Sequence, residues 1–301
     1  MPLQKKPLQK NPQYRTMAIE DGPVEFAEEG QGPAIVYFHG TSGGCEVVFP
    51  MEQELLDAGF RLIAPNRPGN FGTTLGGRTS GADSARLAVA VLDSLGVAKV
   101  GVIGTSGGGP AALSFAAFFP ERTTALILQC AQTHRWDDLS WWPKQNRWIY
   151  PMTRTRLTRR LFYVAYVTEC RLLFRMPQAF IKTMAGPRFD EIRQDAATWN
   201  MYRIFRGPCL RSLSQPAGMR NDWETMETGA FSDAREVRCP TLVIYDPVDP
   251  LVPECHAKWV LSAIPGAREC KLHAGGHLIW LGKDADRMRR ERVAFLREHA
   301  S

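Results

Sequence analysis

The sequence predicts an α/β fold built on a largely parallel sheet, and three observations carry that prediction. Short β-branched and aliphatic runs alternate along the chain with stretches of helical apolar spacing. The runs are apolar at nearly every position, as strands covered on both faces are. Several of them end in glycine-rich or Asp-Pro loops, so polar chemistry is gathered at one edge of the sheet.

Residues 1 to about 13 are rich in Lys, Gln, Pro and Asn and read as a disordered tail. Tyr14 to Ile19 and Val24 to Ala27 flank Glu20-Asp21-Gly22-Pro23 and predict a hairpin. The apolar strand Ala34 to Phe38 delivers the loop His39-Gly40-Thr41-Ser42-Gly43-Gly44. The period turns helical through Met51 to Leu56 and stops at Gly59; Arg61 to Pro65 is again a strand, followed by the loop Asn66 to Gly72. Ser84 to Leu95 is helical through Leu87, Val91 and Leu95. The strand Val100 to Thr105 then runs through Ser106 into an alanine-rich helix, and Thr124 to Leu128 is one more strand.

From about Gln132 to Arg235 the alternation stops. Helical spacing is present at Leu157 to Val167, Glu169 to Met176, Phe180 to Met184 and Thr198 to Phe205, with breaks predicted at Met176-Pro177, Gly186-Pro187 and Gly207-Pro208. Trp136, Trp141, Trp142, Trp148, Trp199 and Trp223 fall here, enough to give the segment an apolar core of its own over the sheet edge. The alternation resumes with the strand Pro240 to Tyr245, a helix at Glu254 to Ile264, a strand at Arg268 to Leu272 and a helix from about Asp284 to Glu298. The predicted organisation is a tail at 1–13, a core at 14–131 and 236–301, and a helical insertion at 132–235.

The 301 residues are 44% hydrophobic and 23% charged, the balance of a globular enzyme. No apolar run approaches the ~20 residues that span a bilayer, and no apolar segment follows the basic N-terminus, so the expected location is the cytoplasm. The seven cysteines are scattered without a Cys-x-x-Cys or Cys/His spacing and read as reduced thiols, with no metal or cofactor expected. Only Cys45, just after a glycine-rich loop, lies near the chemistry. The net charge of +6 is concentrated in residues 134–235, which carry 17 Lys+Arg against 10 Asp+Glu. No nucleic-acid-binding pattern accompanies that excess, so it reads as a solvated basic surface, with attraction of an anionic substrate or membrane surface left open.

The chemistry centres on Gly104-Thr105-Ser106-Gly107-Gly108. A serine at a tight strand-to-helix turn needs small residues two places either side, and it lifts its hydroxyl to the sheet edge beside the N–H of Gly107 at a positive helix end. Pro110 is compatible with a first helical turn. A serine hydroxyl needs a positioned base. His277, after Gly275-Gly276 in the loop following the last strand, has the setting; His39 reads as a buttress of its glycine loop, and His134, His256, His273 and His299 as ordinary imidazoles. The base in turn needs a carboxylate. Asp249, in a loop fixed by prolines, is preferred over Asp246, which reads as a turn cap.

Taken together, the elbow at Ser106, the loop His39-Gly40-Thr41, the loop Arg67-Pro68-Gly69-Asn70-Phe71-Gly72, the acid loop at Asp249 and Gly276-His277 resemble the α/β-hydrolase superfamily, in its capped, serine-nucleophile branch of esterases and carbon–carbon bond hydrolases. The resemblance implies a mostly parallel eight-stranded sheet flanked by helices, with a helical cap inserted after the sixth strand. It implies Ser106, Asp249 and His277 as catalytic residues, and the backbone N–H groups of Thr41 and Gly107 as oxyanion donors. Two positions depart from the pattern: Asn66, where relatives usually carry aspartate, and Thr105, where histidine is frequent. Serine rather than aspartate as nucleophile argues against epoxide hydrolases and haloalkane dehalogenases. The function expected is hydrolysis of a small-molecule carboxylic ester with an apolar acyl or alcohol group. The alternatives are hydrolysis of a ring-cleavage or β-diketone-type product, with an insertion arginine on its carboxylate, and a non-catalytic ligand-binding receptor on the same fold.

Overall fold

The computed structural model describes residues 12–20, 22–135 and 156–299. Eight strands form one sheet: β1 (Gln13–Ile19), β2 (Gly22–Glu29), β3 (Ala34–Phe38), β4 (Arg61–Pro65), β5 (Val100–Thr105), β6 (Thr123–Gln129), β7 (Thr241–Tyr245) and β8 (Arg268–Lys271). Their order is β1-β2-β4-β3-β5-β6-β7-β8. The pairs β1/β2 and β2/β4 are antiparallel, and all the others are parallel. Of the tail expected at 1–13, residues 1–11 lie outside the described residues, whereas Gln13 opens β1.

Eleven α-helices are present among the described residues: α1 (Val48–Met51), α2 (Gln53–Asp57), α3 (Gly81–Ser94), α4 (Gly109–Phe118), α5 (Arg156–Leu173), α6 (Pro177–Ala185), α7 (Phe189–Ile192), α8 (Ala196–Ser212), α9 (Ala217–Thr228), α10 (Glu254–Ala263) and α11 (Ala285–His299). The two-residue alternation of the strands sorts them into layers. Ile35 and Tyr37 of β3 join a buried cluster with residues of α1, α2 and α11. Val36 and Phe38 face the other way, into a cluster with residues of α3, α4 and α10.

Local chemistry explains where the elements depart from the sequence expectation. α3 begins three residues earlier than its apolar spacing suggests, because Ser80 and Asp83 form a capping box in which each side chain accepts the other's backbone N–H. The helix expected at Met51 to Leu56 is two short helices, divided at Glu52, whose carboxylate is turned fully inward. Between β6 and β7 lie α5 to α9. Leu157 to Val167 and the stretch after it are one helix, α5; Pro177 opens α6; Gly186, at φ 54°, follows its last residue. The break expected at Gly207-Pro208 is absent: Pro208 lies inside α8. An interior proline costs about 3 kcal/mol, and the turn it would have broken buries Cys209 and Ser212 and leads into the fully buried Leu213. α9 went unpredicted although Met219, Trp223 and Met226 follow a helical period.

Trp223 packs against Phe162, Tyr163 and Tyr166, a small core internal to these helices. Trp136, Trp141, Trp142 and Trp148 lie outside the described residues. The seven cysteines are all free thiols. Among the described residues no helix is long and apolar enough to cross a membrane.

Candidate active site

The turn at the end of β5 is strained where the sequence demands it. Ser106 holds a left-handed φ of 51°, a conformation that costs a non-glycine residue on the order of 1–3 kcal/mol and survives only where its surroundings enforce it. The glycines around it allow the close packing that does so. A methyl group on Gly108 would collide with the Phe38 carbonyl, and one on Gly107 with the Thr41 hydroxyl.

Three side chains far apart in the sequence meet at this edge. His277 Nε2 lies 3.1 Å from Ser106 Oγ, and His277 Nδ1 lies 2.7 Å from Asp249 Oδ2. Asp249 is locked from behind, its Oδ1 accepting the N–H groups of Leu251 at 2.8 Å and Val252 at 2.9 Å. With Nδ1–H donated to the carboxylate, Nε2 is left to accept the serine proton. All three side chains lie at the C-terminal ends of strands β5, β7 and β8, as the sheet order requires.

Asp246 caps its turn through the Val248 N–H, as expected, and does more. Its Oδ2 accepts the N–H groups of Ala274 at 2.9 Å and Gly276 at 3.3 Å, so it also holds the histidine loop. That loop is touched from above by the helical segment: the Met184 carbonyl accepts the His277 N–H at 2.9 Å, and Arg188 Nε lies 3.2 Å from Asp246 Oδ2.

Thr41 and Gly107 lie against each other, with a methyl position on Gly107 only 3.2 Å from the Thr41 nitrogen. Gly107 belongs to the first turn after the elbow, whose N–H groups have no intrahelical acceptor. His39 buttresses this loop as expected. In one consistent tautomer its Nδ1 donates to the Gly40 carbonyl at 2.8 Å and its Nε2 accepts the Arg67 N–H at 3.1 Å. Burial, helped by the Arg67 charge, lowers its pKa to about 3, so it is neutral. Asn66 makes the contact its identity had put in question, its Oδ1 accepting the Cys45 N–H at 2.7 Å. The Cys45 thiol is buried, and burial raises its pKa far above the ordinary range, which makes it unreactive.

Two polar constructions went unforeseen. Glu52, fully buried, pairs with buried Arg292 of α11 and accepts from Tyr37, Gln129 and the Trp280 indole. Tyr37 and Gln129 in turn bond Thr105, which fixes the residue before Ser106 through its hydroxyl. The other is Asp222 of α9, which takes both guanidinium nitrogens of Arg67 and the Thr41 hydroxyl. A buried carboxylate in an amphipathic helix gives no sequence sign of its partner.

Among the described residues, two groupings bring metal-ligating atoms within 4.8 Å of one another: His134, Cys255 and His256, and Cys130, Asp249 and His277. In the first, His256 Nδ1 already accepts the Thr133 N–H, which leaves the proton on Nε2, and the two rings are stacked at 4.1 Å. In the second, Asp249 and His277 are already bonded to each other, and the Cys130 thiol is buried. A narrow cavity of about 60 Å³ opens at Ser106, walled by Val47, Val48, Met51, Met184, Phe205 and Trp280.

The chain matches the alpha/beta hydrolase fold family over residues 33–284. It is 30% identical over 280 residues to an uncharacterized hydrolase, YcgS, of Bacillus subtilis, covering 90% of this chain and 93% of that one. It is 33% identical over 110 residues to a 2-hydroxy-6-oxo-6-phenylhexa-2,4-dienoate hydrolase of Burkholderia cepacia, which covers 35% of this chain and 38% of that one. Among solved structures, an alpha/beta hydrolase fold protein from Nakamurella multipartita superposes with a TM-score of 0.75 at 27% identity, over 95% of this chain and 99% of that one. By sequence and by fold, the chain belongs to the alpha/beta hydrolase family.

Proposed function

We propose that this hydrolase cleaves carboxylic esters through an acyl-enzyme on Ser106, with residues 132–235 acting as a cap. The observation that carries the reading is the unbroken hydrogen-bonded chain from Ser106 Oγ through His277 to Asp249. Ser106 Oγ adds to the ester carbonyl carbon as its proton passes to His277 Nε2. The N–H groups of Thr41 and Gly107 receive the oxyanion, and the alcohol leaves with the proton from His277. Water then adds to the acyl-enzyme, giving a proton to the same imidazole, and the acid departs as Ser106 recovers its hydrogen.

The cavity supports an apolar acyl or alcohol group, because its walls are aliphatic and aromatic. Phe205 and Met184 are the cap's contribution, whereas Trp223 serves the cap's own core.

A second reading, carbon–carbon bond hydrolysis of a dienoate, draws on the relative from Burkholderia cepacia. Its substrate carries a carboxylate, and among the described residues no Arg or Lys lines the cavity. Among the described residues, Arg188 pairs with Asp246 and Glu191, Arg211 with Glu46 and Arg67 with Asp222. That favours the ester. A panel of p-nitrophenyl esters assayed beside a dienol-dione chromophore separates the two. The expected outcome is ester turnover that falls by at least about 10⁴-fold in Ser106→Ala, with the dienoate untouched; preferential dienoate cleavage would replace the first reading with the second.

A further inference from the structure

The carboxylate of Asp222 stands in an unusual place. It is borne by α9, between β6 and β7, yet it reaches into the loop after β3 and accepts the Thr41 hydroxyl at 2.8 Å. It also receives Arg67 in a two-pronged contact, Nη2 at 2.8 Å from Oδ2 and Nη1 on Oδ1. Arg67 in turn donates its Nε–H to the His39 carbonyl at 2.9 Å. Asp222, Arg67 and His39 are buried. A methyl position on Gly107 lies 3.4 Å from Asp222 Oδ2 and 3.2 Å from the Thr41 nitrogen. One carboxylate therefore bonds the loop that carries Thr41 and lies beside Gly107, the two segments from which the oxyanion donors would come.

We propose that Asp222 is a positioning residue, which aims the Thr41 N–H at the oxyanion by holding the Thr41 side chain and Arg67, so that the helical insertion completes the oxyanion hole. The inference rests on the acyl-enzyme reading above. Two physical arguments carry it. A threonine whose hydroxyl is bonded to a buried acceptor loses rotamer freedom, and its backbone is fixed with it. A buried carboxylate next to developing negative charge would oppose that charge if it stood alone, and the bidentate arginine neutralises it. Arg67 thus lets a carboxylate do the holding without repelling the oxyanion.

The test compares wild type with Asp222→Ala, Asp222→Asn, Thr41→Val and the double variant Asp222→Ala/Thr41→Val. It reads kcat and KM on a p-nitrophenyl ester, and the affinity for a trifluoromethyl ketone, whose hydroxyl adduct mimics the oxyanion. Asp222→Ala and Thr41→Val are expected to lower kcat by about 10- to 100-fold with KM within about two-fold, and to weaken the ketone by the same factor. Asp222→Asn keeps an acceptor for the hydroxyl and is expected to lose less. The double variant should be no worse than the poorer single, because both remove the same contact. Unchanged kcat in both single variants, a loss confined to KM, or losses that multiply in the double variant would overturn the inference. Should Asp222→Ala fail to fold, Thr41→Val and Asp222→Asn decide alone, since each removes a smaller part of the same contact. A wild type that turns over no ester overturns the acyl-enzyme reading along with the inference, whereas an active wild type with unaffected variants overturns the inference only.

Discussion

Two of the contacts that the helical segment between β6 and β7 makes around the site are built differently. At the histidine loop the contact is mostly backbone: the Met184 carbonyl on the His277 N–H, with Ala185 lying against Gly276. The ion pair there, Arg188 with Asp246, is supported on both sides, because Asp246 keeps three backbone N–H partners and Arg188 also meets Glu191 and His273. At the loop after β3 the charged contact runs through Asp222 and Arg67, buried side chains that rely on each other for charge, with Ser42 Oγ donating to Met219 Sδ at 3.6 Å beside them. The first contact is redundant, and the second rests its charge on one pair.

Breaking the pair should therefore have the largest effect. Arg67→Met leaves Asp222 buried without its cation, and a loss of about 3–5 kcal/mol of unfolding free energy is expected from denaturant titration. A loss below about 1 kcal/mol would show that water or another group reaches Asp222, and the contrast between the two contacts would disappear.

Acid should act next, and on the same side. His39 has its pKa lowered from 6.5 to about 3, so the unfolded chain takes up a proton below about pH 6.5 that the folded chain refuses. The folded protein therefore loses stability as pH falls from about 6.5 toward 3, about 2 kcal/mol of it between pH 7 and pH 5 from His39. His256, likewise lowered to about 3 by burial and by neighbouring His134, adds to the slope. His39→Gln should flatten the acid limb by its own share, measured as unfolding free energy against pH; an unchanged limb would contradict the neutral, buried imidazole.

Arg188→Gln is expected to cost least, about 1 kcal/mol or less, because three N–H groups still compensate Asp246. Thermal unfolding of Arg188→Gln beside Arg67→Met gives the comparison directly, and equal shifts would remove it.

The sheet was legible from the chain because its strands are buried on both faces and so read as unbroken apolar runs, from Ala34–Phe38 to Thr241–Tyr245. The meeting of Ser106, Asp249 and His277 was legible for a related reason: each lies just beyond a strand end, and parallel strands bring those ends to one rim. What was not legible depends on side chains meeting across elements. Glu52, between α1 and α2, and Arg292, in α11, are 240 residues apart, and nothing local to either marks it as buried. Asp222 lies 155 residues from Arg67 and looks like any polar residue of an amphipathic helix. Pro208 misled because local propensity says break, while the buried side chains that follow it keep the helix intact.

The account stands on Ser106 as the atom that becomes acylated, and intact-protein mass spectrometry after exposure to a fluorophosphonate measures that directly. Wild type should gain one adduct, mapped by peptide sequencing to Ser106, and Ser106→Ala should gain none. Wild type without an adduct, or an adduct of equal yield in Ser106→Ala, would contradict it.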